Sequence, residues 1–300
     1  GSVRRLIINA DDLGLTSGVN RAILEAHQRG IVTSATLMAG GRAFAEAAQM
    51  AQAAPDLSVG CHVVLVDGQP LLPPQQIPSL LAPDNHREGQ FRTSIGQLAA
   101  AAVRGRIAAS EVEAEATAQM RKLQASGLTL SHFDTHKHAH MFPSLLRPLL
   151  RAARACGVRA VRNPFAPVKP LAFADLLRRP RLWKRYSEVR TLRLWLDSFR
   201  SAIADEGMLT TEGTFGIVST GALDEPLFEA VIGCIPEGTW EFVCHPGYDD
   251  ADLYTVRTRL RRSREQELRV MTSPAAKEAL QRHGVELTSW RQLVQEAVNN

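Results

Sequence analysis

The chain has 300 residues, 45% of them hydrophobic and 22% charged, with a formal net charge of +4 at pH 7. This composition is ordinary for a globular protein with ample material for a core, and the mild charge does not demand an acidic partner. With no apolar run of about 18 residues and no apolar signal-peptide core, we expect a cytoplasmic protein without a transmembrane helix. Its four cysteines show no CxxC spacing, which favours reduced thiols over a disulfide framework.

Strand and helix patterns alternate through the first part of the chain. A short apolar run at residues 6–8 predicts a buried strand that ends at two aspartates and a glycine, and helical spacing follows over residues 17–30. The next predicted elements are a strand at 31–38, a helix at 43–54 and a strand at 57–65. This alternation is typical of parallel α/β proteins, and a barrel suits the length.

Residues 66–92 interrupt the alternation with five prolines and several leucines. Such a run is long for a connection within a domain, and its apolar content favours a lid-like insertion that shapes a substrate site. The remaining elements are predicted as helices at 94–126, 144–156, 258–270 and 275–283, and as strands at 128–133, 159–162, 216–218, 239–244 and 285–287. We expect a single barrel domain over residues 3–300.

A second lid-like insertion is predicted at residues 171–204, where the composition becomes basic. Eight lysine and arginine side chains lie between positions 178 and 200, among apolar residues at helical spacing. Base rates favour an ordinary amphipathic helix with a solvated basic face. The alternative is a helix lying on an anionic membrane surface, at the inner face of the membrane. No nucleic-acid-binding motif accompanies the run, so a nucleic-acid partner is the weakest interpretation.

Polar side chains follow four of the predicted strands: Asp11 and Asp12, His62, the cluster at 134–140, and His245. Because the C-terminal ends of parallel strands meet at one edge of a sheet, these groups can converge. Neighbouring carboxylates repel each other unless they share a cation or a proton, although Asp12 or Ser17 could instead cap the following helix. One carboxylate and two imidazoles suit a catalytic divalent metal that keeps a position for water.

Three histidines alternate in the cluster after the fourth strand, at positions 136, 138 and 140. On an extended chain they would share one face, with Lys137 pointing the other way. Near a strand end we expect His136 alone to reach a ligand position, whereas His138 and His140 could contact substrate. A lone histidine is more often structural than a ligand, but three of them within a five-residue stretch that closely follows an aspartate favour a metal site.

Four motifs in chain order resemble the YdjC-like carbohydrate deacetylases: Asn-Ala-Asp-Asp-Leu-Gly at 9–14, Gly-Cys-His at 60–62, Asp-Thr-His-Lys-His-Ala-His at 134–140 and Cys-His-Pro-Gly at 244–247. A match in four parts is more specific than any single motif. The resemblance implies a distorted TIM-like (β/α) barrel of the glycoside hydrolase/deacetylase type. It also implies one divalent metal ion bound by Asp12, His62 and His136, with zinc expected first and magnesium, manganese, cobalt or nickel as alternatives.

Within that family, the stretches at 65–68, 72–74 and 77–78 and the His-Lys-His cluster resemble the subfamily associated with hopanoid biosynthesis, HpnK. This resemblance implies removal of the N-acetyl group from an acetylglucosaminyl hopanoid, a glycolipid. A soluble chito-oligosaccharide deacetylase is the alternative within enzymes. A non-catalytic metal- or sugar-binding module is the alternative of another class, and its ion would have a closed shell of protein ligands.

The residue types predict a hydrolytic mechanism. The metal would polarise the acetamide oxygen and lower the pKa of a bound water, and Asp11 would take the proton as general base. His245 is the candidate general acid for the leaving amine, although a structural histidine packed against Pro246 is the plainer alternative. Further candidates, as contacts to sugar hydroxyls, are Asn9, His138, His140 and Arg162.

Overall fold

The structure is a computed structural model that describes residues 3–83, 89–167, 181–217 and 219–300. Its strands are β1 (Arg4–Leu13), β2 (Ser34–Leu37), β3 (Ser58–Val63), β4 (Phe133–Thr135), β5 (Thr214–Phe215), β6 (Gly238–Cys244) and β7 (Val285–Thr288). Its α-helices are α1 (Ser17–Gln28), α2 (Phe44–Gln52), α3 (Ile95–Val103), α4 (Ala109–Ala125), α5 (Pro143–Ala155), α6 (Arg181–Glu206), α7 (Glu225–Gly233), α8 (Ala251–Tyr254), α9 (Arg262–Thr272), α10 (Pro274–Arg282) and α11 (Trp290–Asn299).

The parallel sheet curls until its two edges are linked. Its strand order is β4-β3-β2-β1-β6-β5, and β7 pairs with the first half of β1. Beyond β4, which bonds to the carbonyl of Ala160, the N–H of Val161 donates to Leu209 O at 2.9 Å. The N–H of Glu212 then donates to Thr239 O in β6 at 2.9 Å. Hydrogen bonds thus link neighbours around an irregular ring, which confirms the predicted distorted TIM-like (β/α) barrel.

β1 carries side chains into two environments. Leu6 and the next alternate residues pack against the helices in the main hydrophobic core. Ile7 packs instead with Trp290 in a second, smaller cluster inside the barrel. Because alternate residues of a strand share a face, Asn9 and Asp11 continue this interior row toward the mouth of the barrel.

The start of α11 covers the bottom of the barrel. The backbone N–H of Trp290 donates to Ser34 Oγ at 3.2 Å, and that of Arg291 donates to Ser58 Oγ at 3.1 Å, at the first residues of β2 and β3. The Trp290 ring has no exposed surface and stacks on His132, with ring centroids 4.8 Å apart. The barrel therefore opens toward the C-terminal ends of its strands, where the predicted site residues lie.

Several predicted boundaries were wrong. The helix predicted at 94–126 is divided into α3 and α4, with Gly105 between them at a φ of 68°. The strand predicted at 128–133 begins only at its last residue. Residues 159–162 contribute isolated bridges instead of a strand. β5 lies just before the strand predicted at 216–218, whose last residue is outside the described residues.

The loop predicted as a lid at 66–92 is packed where the structure describes it, with residues 84–88 outside that range. Ile77, Leu80 and Phe91 are buried, and Leu81 pairs with Phe91 in an antiparallel bridge. The loop also contains two 3-10 turns, Pro74–Gln76 and Pro78–Leu80. The described part of the loop is therefore packed on the rest of the protein, and its role as a lid stays a prediction.

Residues 171–180 of the predicted basic insertion lie outside the described residues, and α6 covers the rest. Phe199 is buried, and the rings of Trp195 and Phe142 pack edge to face with their centroids 5.5 Å apart. Arg147 of α5 also donates to Asp205 at 3.1 Å. Over its second half α6 is an amphipathic helix packed on the barrel, and contact with a membrane stays a prediction. Among the described residues, no helix combines the length and apolar character needed to span a bilayer.

Candidate active site and metal centre

The side chains of Asp12, His62 and His136 converge at the mouth of the barrel. His62 Nε2 lies 3.2 Å from both Asp12 Oδ1 and His136 Nδ1, and the last two atoms are 3.6 Å apart. With metal–ligand bonds of about 2.0–2.2 Å, neighbouring ligands of a tetrahedral ion lie roughly 3.3–3.6 Å apart. The three atoms therefore fit one face of a coordination shell, and the structure brings together the three ligands named from the sequence.

This group is open on one side. His136 is partly exposed, and all three side chains line a cavity of about 750 Å³. Within the described residues, the cluster holds these three ligands without a fourth histidine, cysteine or carboxylate. An ion there would keep coordination positions toward the cavity, as catalytic ions do, whereas a structural ion has a closed shell.

A buried carboxylate orients His62. Its Nδ1 lies 2.7 Å from Asp134 Oδ1, while Asp134 Oδ2 accepts from Thr36 Oγ1 at 2.9 Å. This arrangement points Nε2 toward Asp12 and His136, where a metal ion could bind. Burial by itself lowers the pKa of His62, but the carboxylates of Asp134, Asp12 and Asp11 outweigh burial and raise it to about 10. The raised pKa favours the doubly protonated imidazole in the metal-free protein, so an ion that binds Nε2 must displace a proton.

Asp12 reaches the same site as Asp11 because the end of β1 departs from a regular strand. Successive side chains of a strand point to opposite faces, but Asp12 has a φ of 70°, and the register with β2 shifts between Ala10 and Leu13. Its Oδ2 accepts from Arg264 Nη2 at 3.0 Å, which leaves Oδ1 to face the histidines. Burial raises the pKa of Asp12, yet Arg264 and the two imidazoles hold it well below its usual value.

Asp11 lies deeper and forms a bidentate ion pair with Arg162. Arg162 Nη1 and Nη2 donate to its two carboxylate oxygens at 2.9 and 2.6 Å. Asn9 Nδ2 donates to Asp11 Oδ1 at 2.9 Å. Burial raises the pKa of Asp11, but Arg162 outweighs burial and keeps it well below its usual value. The carboxylate is therefore ionised and fixed in orientation.

Arg162 is itself held by two further carboxylates. Its Nε and Nη2 donate to Glu241 at 3.0 and 3.1 Å, and Nη2 lies 2.9 Å from Asp134 Oδ2. Trp290 Nε1 donates to the same Glu241 at 3.3 Å. Burial raises the pKa of Glu241 to about 7 even with Arg162 beside it. Arg162 has no exposed surface, whereas the sugar contact expected of it would require one.

His245 directly follows β6 and lies at the cavity wall beside Asp11. Its Nε2 is 3.8 Å from Asp11 Oδ2, and its side chain is 14% exposed. The backbone N–H donates to Glu267 Oε1 at 2.9 Å, which anchors the residue from α9. The imidazole is thus next to the predicted base and accessible from the cavity.

The histidine cluster is not extended, so the predicted shared face was wrong. Residues 136–141 form 3-10 turns in which Lys137 and His138 adopt φ values of 58° and 54°. These turns carry His140 into the interior, where its Nε2 is 2.9 Å from the carbonyl of Arg162. Burial lowers the pKa of His140 to about 3, which keeps the ring neutral. His138 remains at the cavity wall.

Asn9 also lies behind the cavity wall. Its Nδ2 donates to Asp11 and to Thr36 Oγ1, the latter at 3.2 Å, and its Oδ1 lies 3.0 Å from His132 Nε2. The side chain has no exposed surface. Asn9, His140 and Arg162 therefore support the site from beneath, while His138 faces the cavity.

The cavity has an aliphatic wall and a basic rim. Its aliphatic side chains are Leu15, Met38, Ile95, Ile217, Val256 and Leu260. Lys137, Arg257 and Arg259 lie among the residues that line it. Within the described part of the chain, no tryptophan, tyrosine or phenylalanine lines this cavity. It can admit a polar group to the metal position while holding apolar surface against its wall.

Sequence reasoning assigned no individual role to three residues that shape the site: Asp134, which begins the 134–140 motif, Glu241 and Arg264. Asp134 pairs in register with His62 across β3 and β4, so strand alignment could have revealed it. Glu241 is a charged residue inside an apolar strand, and a buried carboxylate needs a partner. Arg264 comes from α9, far along the chain, and no local pattern marks it.

Comparisons with known proteins place the chain in a family. A sequence profile described as YdjC-like protein matches residues 5–282. A carbohydrate deacetylase from Geobacillus stearothermophilus is 33% identical over 290 residues, covering 96% of this chain and 98% of that protein. A chitooligosaccharide deacetylase from Escherichia fergusonii is 39% identical over 143 residues, covering 47% of this chain and 52% of that protein.

Among solved structures, the fold is similar to that of a protein from Enterococcus faecalis V583, named as a candidate cellobiose-phosphate cleavage protein. The TM-score is 0.77 at 26% sequence identity, and the match covers 97% of this chain and 99% of that one. The profile, the Geobacillus stearothermophilus relative and the fold match each span nearly the whole length of the chain. The chain belongs to the YdjC-like protein family.

Proposed function

We propose that this protein is a metal-dependent carbohydrate N-deacetylase that hydrolyses the acetamide of an N-acetylglucosamine unit. The proposal is carried by the open triad of Asp12, His62 and His136, whose ligand atoms are 3.2–3.6 Å apart at the end of a cavity. An ionised carboxylate, Asp11, and an accessible imidazole, His245, lie beside it. The similarity to proteins named carbohydrate deacetylases supports the same reaction.

Asp12, His62 and His136 would hold one divalent ion, with zinc expected first and magnesium or another divalent metal as the alternative. When bound, such an ion polarises a carbonyl oxygen and lowers the pKa of water. Asp134 keeps His62 in the orientation that this ligand role requires, and Arg264 does the same for Asp12.

Asp11 acts as the general base and accepts a proton from the attacking water. Arg162 keeps its carboxylate ionised and fixes the direction of its lone pairs through two parallel hydrogen bonds. The same ion pair makes Asp11 a weak base, because a low pKa means weak proton affinity. Asp11 therefore depends on a water that is already acidified.

His245 acts as the general acid and gives a proton to the leaving amine nitrogen. Its Nε2 and Asp11 Oδ2, 3.8 Å apart, border the same cavity, so one acetamide can be reached by both. His138 is the candidate contact to a sugar hydroxyl. We assign positioning roles to Asn9, His140 and Arg162 in place of the sugar contacts expected from the sequence, because all three are buried.

For the substrate we propose a lipid-linked sugar, an acetylglucosaminyl hopanoid, as in the subfamily HpnK. The supporting observation is the aliphatic wall of the cavity, since the C–H faces of free sugars pack well on aromatic rings and the described part of this cavity has none. A chito-oligosaccharide is the second candidate, favoured by the similarity to the Escherichia fergusonii protein over about half of the chain. In this proposal residues 3–300 act as one barrel domain in the cytoplasm, at the inner face of the membrane.

Acetate release tests the proposal directly. The purified protein, with its metal content measured, is assayed on an acetylglucosaminyl hopanoid in detergent and on diacetylchitobiose. Faster release from the glycolipid supports the first candidate, and release from diacetylchitobiose alone supports the second. If the protein binds one equivalent of metal and releases acetate from neither substrate, it is a metal-binding module and the proposal fails.

A further inference from the structure

The segment at 255–261, between α8 and α9, forms one side of the cavity mouth and is fixed at both ends. Arg42 donates to the backbone carbonyl of Thr255 at 3.0 Å and also to its hydroxyl. Arg261 donates to the carbonyls of Leu253 and Val256 at 3.0 and 3.3 Å. Backbone groups that a free loop would leave to water are satisfied here by arginine. The segment therefore presents its other side chains in a defined direction.

Two of those side chains are arginines without partners. Arg257 and Arg259 are exposed, and within the described residues neither forms a hydrogen bond or an ion pair. Arg262, next to them, is also exposed. Among the described residues that line the cavity near its mouth, the acidic side chain is Asp67, which Lys137 already engages at 3.3 Å. The mouth therefore has an excess of positive charge that the protein itself does not neutralise.

Apolar surface lies directly beside this charge. Tyr254, at the end of α8, is 65% exposed. Val256 and Leu260 alternate with the two arginines along the segment and belong to the aliphatic wall of the cavity. An exposed tyrosine beside arginines is typical of protein surfaces that lie at a membrane interface, where the ring sits among headgroups and guanidinium groups meet phosphates.

We propose that the rim formed by residues 254–262 docks on an anionic lipid surface, so that the cavity opens toward the bilayer. Charge complementarity selects this occupant, because unpaired arginines attract a negatively charged leaflet, and the aliphatic wall behind them can receive a lipid-borne substrate. The inference rests on the proposed lipid-linked substrate and goes beyond it by naming the surface that meets the membrane. That surface is distinct from the basic run at 171–204.

Vesicle flotation of the full chain tests the docking surface. Vesicles of phosphatidylcholine with about one third phosphatidylglycerol are expected to bind the protein, and phosphatidylcholine alone is not. The double variant Arg257→Gln/Arg259→Gln is expected to partition roughly 30-fold more weakly, since each arginine near an anionic leaflet contributes about fivefold. Added salt should weaken wild-type binding, because exposed charges are screened.

A matched control comes from the opposite end of the barrel. Arg4→Gln/Arg29→Gln removes the same charge at the start of β1 and the end of α1, and both positions are exposed. This control is expected to float like the wild type. Equal loss in both double variants would mean a general effect of net charge and would overturn the proposal, as would unchanged binding of Arg257→Gln/Arg259→Gln.

Turnover separates docking from catalysis. With a water-soluble N-acetylglucosamine substrate, Arg257→Gln/Arg259→Gln is expected to lose less acetate release than with glycolipid in anionic vesicles, where release falls with binding. An equal fractional loss on both substrates would place the arginines in sugar binding and overturn the docking surface. If the wild type releases no acetate from any substrate yet floats with anionic vesicles, the proposed function fails and the docking surface stands.

Discussion

The floor of the cavity and its mouth handle charge in opposite ways. On the floor, Asp11, Asp134 and Glu241 surround the single guanidinium of Arg162, and all four side chains are buried. At the mouth, Arg257 and Arg259 are exposed and, within the described residues, have no acidic partner. Charge on the floor is therefore held in a buried network of ion pairs, whereas the charge of these two arginines at the mouth is exposed.

This difference separates two kinds of contribution. Buried charges interact strongly and lose much when a partner is removed, so the floor fixes geometry and favours a cation. Exposed charges are screened by water and salt, so the mouth adds little to stability and can serve encounter with a charged surface. Substitutions on the floor and at the mouth should therefore differ in the size of their effect and in the property that they change.

The largest effect is expected from Asp11→Asn on the floor. Loss of a general base reduces kcat by about 10²–10⁴-fold. Metal content should remain, because Asp11 is outside the ligand triad. The measurement is acetate release per equivalent of bound metal, with unfolding followed in parallel because the new amide would face the Arg162 donors. Metal lost together with turnover would contradict the role of base.

A smaller loss, in metal affinity, is expected from Asp134→Asn. The variant weakens the hydrogen bond that orients His62, and such changes typically reduce metal affinity by about 10–100-fold. Asp205→Asn, which alters an exposed carboxylate paired with Arg147, serves as control and should bind metal normally. Competition with a chelator of known affinity measures both variants, and equal affinities would exclude the orienting role.

The pH dependence of metal binding should show the proton on His62. Its pKa in the metal-free protein is raised to about 10, so between pH 7 and that value the ion displaces a proton and apparent affinity rises by about tenfold per pH unit. The stability of the metal-free protein should show the opposite trend. Because the pKa of His62 is raised in the folded protein, its protonation contributes fully to folding stability below pH 6.5. That contribution is lost as the pH rises toward 10. Titrations at several pH values, with and without metal, measure both trends; an affinity independent of pH would contradict them.

The smallest effect is expected at the mouth, from Lys137→Gln. The ion pair with Asp67 is partly exposed, and pairs of this kind contribute about 0.2–1 kcal/mol. The free energy of unfolding should fall by no more than that, and turnover of a soluble substrate should change by less than about twofold. A loss as large as that of a floor variant would erase the distinction between the two regions.

The elements could be predicted because they depend on local pattern. Apolar runs that end in polar residues marked the strands, and parallel strands bring such ends together. The resemblance to the YdjC-like family then singled out Asp12, His62 and His136, whose side chains the structure brings together. The left-handed backbone at Asp12 and at residues 137–138 could not be predicted, because a sequence period carries no information on φ. For that reason His140 was expected to contact substrate, whereas it lies inside.

The partners of Arg162 escaped prediction for a different reason. Asp11, Asp134 and Glu241 are on three separate strands, and their meeting depends on barrel closure and strand register. A charged residue in an apolar strand shows that a partner must exist, but not which one. Sequence reasoning therefore proposed Arg162 as a substrate contact, whereas in the structure it is buried and paired with Asp11, the proposed base.

The indole that closes the bottom of the barrel has a practical consequence for cutting this chain. The match to the family profile stops at residue 282, yet Trp290 reaches the carboxylate that holds Arg162, and β7 pairs with β1. A fragment that ends at residue 282 would expose the interior of the barrel to water at its bottom. It would also remove the hydrogen bond from Trp290 to Glu241, the carboxylate that holds Arg162. Expression boundaries for this enzyme should therefore extend through α11.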